Sequence, residues 1–108
     1  MPAYAIAQLR DVTVGADIVE YLRRIDATLE PFGGRFVVHG GEAELLEGSW
    51  PQTLIVIEFP GLDTARAWYR SPAYQEILPL RTRNSSGDAV LLPGVGEDHR
   101  ALDVLTPA

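Results

Sequence analysis

From Ala3 to Asp11 apolar and polar residues alternate, with Tyr4, Ile6 and Gln8 on one side and Ala3, Ala5, Ala7 and Leu9 on the other. A period of two predicts a first strand, and its alanine face is small enough to lie under a helix. From Ala16 to Phe32 the spacing changes to three and four, with Ile18, Leu22, Ile25, Leu29 and Phe32 forming one stripe and Glu20, Arg23, Arg24 and Glu30 turned to water. This is a helix, and Gly33-Gly34 supplies the left-handed stop that glycine adopts without steric cost.

Arg35 to His39 is a short β-branched and aromatic run closed by Gly40-Gly41, which predicts a second strand, with Glu42 to Trp50 extending it or returning beside it. Thr53 to Phe59 is apolar on both sides except at Glu58, the pattern of a central strand covered on each face. Leu62 to Arg70 reads as a second helix, with Leu62, Ala65 and Tyr69 in register and Trp68 beside them. Ser71-Pro72 restarts the chain as an N-cap followed by a proline at the first helical position. The helix it opens carries Tyr74, Ile77 and Leu78 and is expected to end near Pro79. A polar turn over Asn84–Gly87 leads to a last strand from Asp88 to Pro93.

The resulting order, βαββαβ, is that of a ferredoxin-like α+β domain over residues 1–95. A polar, irregular tail over 96–108 carries Leu102, Val104 and Leu105, which are expected to dock on a neighbouring copy. Two helices can cover only one face of a sheet, so the two-sided third strand calls for a second subunit on the other. A homodimer is the expected assembly.

Composition narrows the chemistry. All nine basic residues are Arg, scattered along a chain of formal charge −6, so a nucleic-acid partner is not expected. The absence of Lys excludes Schiff-base chemistry, and the absence of Cys excludes thiolate nucleophiles, disulfides and cysteine-bound metals. His39 and His99 are the only imidazoles and stand far apart, without metal-ligand spacing, so no metal and no cofactor is expected. Neither glycine pair forms a phosphate-binding loop. No apolar run reaches the roughly 18 residues of a membrane span, and the first ten residues lack a leader pattern, so a cytoplasmic location is expected.

Several motifs in order resemble a bacterial family, domain of unknown function 1330. They are Tyr4-Ala5-Ile6-Ala7, Phe32-Gly33-Gly34-Arg35-Phe36, Gly40-Gly41, Leu46-Glu47-Gly48 with Trp50, and Ile57-Glu58-Phe59-Pro60. Ala67-Trp68-Tyr69-Arg70-Ser71-Pro72-Ala73-Tyr74 with Leu80-Arg81 completes the set, and the resemblance spans about residues 2–95. It implies membership of the dimeric α/β-barrel superfamily, in which two ferredoxin-like protomers pack their sheets face to face. Wider relatives include cofactor-free quinone-forming monooxygenases, lactone isomerases, polyketide cyclases and haem enzymes, so the fold does not choose a reaction. Family members often carry Arg before the glycine pair; here the residue is His39.

Two residues are candidates for catalysis. His39 offers an imidazole, the side chain that ordinarily titrates near neutral pH, and Glu58 offers a carboxylate in an apolar strand, where burial raises a carboxyl group's proton affinity. Glu58 either moves protons or pairs with Arg35 or Arg81, and His39 either serves the site or sits inert at a strand end. Tyr4, Trp68, Tyr69 and Tyr74 either line a small-molecule pocket or fill the core. Arg35 and Arg81 are candidates for substrate binding, with Arg81 holding a ligand's carboxylate or phenolate or neutralising Glu58. The expectation is a cofactor-independent isomerase, cyclase or monooxygenase acting by proton transfer on a small oxygen-bearing substrate. The alternative is a non-catalytic dimeric ligand-binding or interaction module.

Overall fold

A computed structural model of the chain describes residues 1–105. Strand β1 (Ala3–Arg10) leads to helix α1 (Ala16–Leu29), then β2 (Arg35–His39), β3 (Thr53–Phe59), α2 (Leu62–Arg70), α3 (Pro72–Thr82) and β4 (Ser86–Pro93). The strands form one sheet in the order β2-β3-β1-β4 with every neighbouring pair antiparallel, a ferredoxin-like α+β architecture.

All three helices lie on one face. The core joins Tyr21, Ile25 and Leu29 of α1 to Ile57 and Phe59 of β3, Ala65 and Trp68 of α2, and Tyr74 and Ile77 of α3. The opposite face carries Ile6, Leu54, Val56, Val90 and Leu92, which no helix or strand among the described residues covers; Val90 and Leu92 are about half exposed, at 50% and 48%. Apolar side chains on both faces of β3 therefore match the sequence pattern, yet only one face is dry within the protomer.

Local chemistry accounts for the element ends. Helix α1 tightens into a 3-10 turn over Glu30–Phe32, and Gly33, at φ 70°, closes it in the left-handed conformation that a side chain disfavours. Ser71 caps α3 as expected, its hydroxyl accepting the backbone N–H of Tyr74 at 3.3 Å.

Four expectations are corrected. On α1 the buried line is Ile18, Tyr21, Ile25, Thr28 and Leu29, while Leu22 is 46% exposed. The line is anchored by polar tips that hydropathy undervalues: Thr28 Oγ1 accepts from Trp68 Nε1 at 3.0 Å and donates to the Ile25 carbonyl at 2.6 Å. Helix α3 does not end near Pro79 but runs through it to Thr82. Leu78 and Leu80 pack against the core on either side of the proline, and the Asn84 side chain donates to the Leu80 carbonyl at the helix end. Residues 42–50 form neither an extension of β2 nor a returning strand; this glycine-bounded acidic stretch runs along the surface with Leu45 and Leu46 exposed. Finally, β4 begins at Ser86, inside the expected turn.

The tail forms a short 3-10 turn over Ala101–Leu105, with Leu102, Val104 and Leu105 all exposed. The last three residues of the expected tail, 106–108, lie outside the described residues.

Candidate functional site

Between the helices and the sheet lies a cavity of about 390 Å³. Its floor begins with the alanine face of β1. Ala3 and Leu9 are buried at the strand's two ends, whereas Ala5 and Ala7 between them are only half-buried and line the cavity. The space above them is the volume that two small side chains leave unfilled. Ile55 and Ile57 of β3 continue the floor, and Ile18, Leu22 and Ile25 of α1 lie over it. Helix α1 packs beside α3, and its Tyr21, Ile25 and Leu29 join Ile57 and Phe59 of β3 in the core.

Polar groups enter this apolar space at two places. The first is a buried wall formed by α1, α2 and α3. Tyr74 and Arg81 stand seven residues apart on α3, two turns on the same face, and both line the cavity. Tyr21 faces them from α1, its hydroxyl 2.8 Å from that of Tyr74. Trp68 packs on Tyr74 with ring centroids 4.1 Å apart, and Tyr69 completes the aromatic wall at its exposed edge. Burial raises the Tyr21 phenol well above the ordinary tyrosine value, the neighbouring Tyr74 adds to the rise, and Arg81 opposes it only in part. Burial also works against the Arg81 charge, but the two phenols beside it outweigh that effect, so the group stays a guanidinium.

The second polar entry is His39. On a regular strand, Arg35, Val37 and His39 would share a face. The register between β2 and β3 shifts, however: Phe36 pairs with Ile57, but Val38 pairs with Val56 and His39 with Ile55. Val37 is the extra residue of a β-bulge, and beyond it the side-chain alternation is inverted. His39 thereby turns to the helix side, where its ring stacks on Phe36 at 4.3 Å and lines the cavity at its exposed rim.

The sequence candidates divide between the two faces. His39, Trp68, Tyr69, Tyr74 and Arg81 come together around the cavity. Tyr4, Arg35 and Glu58 form a cross-strand row on the bare face instead. Glu58 Oε1 accepts from Arg35 Nη2 at 2.8 Å and from Nε at 3.1 Å, and Tyr4 donates to Oε2 at 3.3 Å. Glu58 does not line the cavity and stands across the sheet from His39 and from Arg81. Of its two possible partners, Arg35 is the one it meets. Trp68 spends its N–H on Thr28, so its ring offers the cavity a surface rather than a donor. Among the described residues no cluster of three His, Asp or Glu side chains is placed to hold a metal, and no helix is long and apolar enough to cross a membrane.

Tyr21 is the residue that the sequence reading missed. It lies three residues after Ile18 and four before Ile25, as compatible with the stripe as Leu22, which lies four after and three before. The periodicity fits both residues equally, and hydropathy favours the leucine.

No curated protein matches the chain. Among solved structures, a protein of unknown function from Rhodopseudomonas palustris superposes with a TM-score of 0.64 at 19% identity, covering 88% of this chain and 83% of that one. A dimeric ferredoxin-like protein of unknown function from Jannaschia sp. CCS1 gives 0.65 at 10% identity over 87% and 100%. The cofactor-independent oxygenase SnoaB from Streptomyces nogalater gives 0.61 at 12% identity over 92% and 98%. At these identities the likeness is one of fold. The sequence match is more specific: residues 2–95 fit the family described as Domain of unknown function (DUF1330), and the chain belongs to that family.

Proposed function

We propose that the cavity beneath the helices is a small-molecule site, and that the protein is a homodimeric, cofactor-independent enzyme of isomerase, cyclase or monooxygenase type. Its reaction moves a proton on a small oxygen-bearing substrate. The observation that carries this reading is the bulge at Val37, which turns His39 out of the bare face and into an apolar cavity whose far wall holds Tyr74 and Arg81. An imidazole there can give or take a proton in hydrogen-bond reach of a substrate, while the aromatic wall of Trp68, Tyr69 and Tyr74 positions an apolar substrate body. The fold of a cofactor-independent oxygenase supports the class at the level of architecture only. Glu58 is read as the structural partner of Arg35, and Tyr4 and Arg35 belong with it to the subunit interface rather than to the substrate. The dimer forms by pairing the two bare sheet faces, and the exposed tail segment Ala101–Leu105 rests on the partner copy.

A second reading, a non-catalytic ligand-binding dimer, draws on one observation: of the two proton-transfer candidates, only His39 borders the cavity. The two readings are separated by extracting the molecule that co-purifies with the protein, identifying it by mass spectrometry, and following its C–H exchange in heavy water. An enzyme exchanges the label, and His39→Ala slows the exchange by about 100-fold. Exchange at the same rate with His39→Ala removes the histidine from the mechanism, and no exchange by the native protein favours the binding module.

A further inference from the structure

The wall formed by Tyr21, Tyr74 and Arg81 has too many donors for its acceptors. A guanidinium carries five N–H donors and accepts nothing. Arg81 has no carboxylate partner among the described residues: the ion pairs there join Arg24, Arg35, Arg66, Arg83 and His99 to acids, and Glu58, the acid once available to it by sequence, is across the sheet. The side-chain acceptors that act on it are the two phenol oxygens. These already share one hydrogen bond with each other, in which either is the donor, so one phenolic O–H also remains without an acceptor among the described residues. A half-buried cation and a spare hydroxyl thus face a largely apolar cavity, apart from His39 and Thr53 on its other side, and such a charge gains from an opposite charge placed in hydrogen-bond contact with it.

Resting on the reading of the cavity as a small-molecule site, we infer that the Tyr21–Tyr74–Arg81 wall is an oxyanion pocket and that the site selects apolar, ring-sized ligands bearing one anionic oxygen group. The guanidinium and the free phenolic O–H hold the anion, while Ile25, Ile55, Ile57 and the Trp68 ring enclose the body. Tyr21, buried and kept in its protonated form, serves as a donor and not as a base. A carboxylate or an enolate satisfies the same donors. The chain's negative net charge does not contradict the preference, because salt screens distant charges, whereas the one guanidinium lining the cavity acts at contact.

Calorimetric titration of the full chain at neutral pH with 1-naphthoate and with the isosteric, uncharged 1-naphthamide tests this. The naphthoate should bind about 10- to 100-fold more tightly, the range expected for a charge-assisted hydrogen-bonded anion. Arg81→Gln should abolish the difference, Tyr21→Phe should reduce it, and Arg66→Gln on the exposed side of α2 should leave it intact. Equal affinities for the two compounds overturn the oxyanion pocket but leave the cavity as a binding site. Failure of both to bind overturns the cavity reading and the inference with it. A preference that survives Arg81→Gln places the anion elsewhere and overturns the assignment, and the comparison in the native protein stands even if that variant does not fold.

Discussion

Val90→Asp tests the pairing of the bare sheet faces. Val90 sits in an unbroken apolar row that crosses the sheet through Val38, Val56 and Ile6, and half of its surface is open. Complete burial of a valine or leucine contributes about 1.5–3 kcal/mol, so covering the open half of Val90 contributes about 1 kcal/mol per copy. The substitution loses that contribution twice over in a symmetric dimer. It also places two carboxylates in an apolar contact, where each costs several kcal/mol to desolvate. The sum exceeds about 4 kcal/mol, or roughly a 1,000-fold weaker dimer. Within one protomer the cost is far smaller, about 1 kcal/mol, because the site is half-exposed on an edge strand. Light scattering after size-exclusion chromatography at micromolar concentration should show the native protein at twice the chain mass and Val90→Asp at the chain mass, with an unchanged far-UV circular dichroism spectrum. A folded variant that dimerises with the native affinity would refute the argument that these faces pair.

Three further outcomes follow from particular contacts. Glu58→Gln should lower stability by less than about 1 kcal/mol in the monomeric Val90→Asp background, where Arg35 is 67% exposed, and by about 3 kcal/mol in the dimer, where the pair is dried; equal costs in urea melts of the two backgrounds would show that the pair stays wet. Gly87→Ala should destabilise by more than about 2 kcal/mol, because an added Cβ would overlap the Gln8 carbonyl oxygen on the paired strand β1, and a native-like thermal midpoint would contradict that packing. Tyr21, whose pKa is raised by burial, contributes stability that is fully present below the unfolded-state value of about 10 and is lost as pH rises beyond it. Tyr21→Phe should therefore tolerate alkali better than the native protein when folding is followed by circular dichroism above about pH 10, and identical alkaline profiles would exclude Tyr21 as the titrating group.

The order of elements was legible because each has a local cause. Gly33 ends α1, Ser71 and Pro72 open α3, and the two-sided run Thr53–Phe59 is a central strand. The candidate site was only half legible. Trp68, Tyr74 and Arg81 lie on one wall because helical geometry fixes the spacing within α3 and against α2, and spacing is written in sequence. The separation of His39 from Glu58 was not readable, since it depends on the register of β2 against β3, which belongs to two strands at once and is not a property of either segment alone. The identity of Glu58's partner was hidden for the same reason: Arg35 and Arg81 are equally plausible by charge, and pairing across the sheet decides between them.

The bulge at Val37 also makes β2 a strand with two addresses. Arg35 reports to the outer face, next to Glu58, and His39, four residues later, reports to the cavity. Parity on a strand is conserved under substitution but not under insertion or deletion, so no single replacement within Arg35–His39 exchanges these addresses, whereas removing one residue does. A chain shortened by Val37 would have to give up either the Arg35–Glu58 contact or the imidazole at the cavity rim. In this fold, then, the length of a five-residue edge strand specifies the contents of a site as firmly as the identity of its residues.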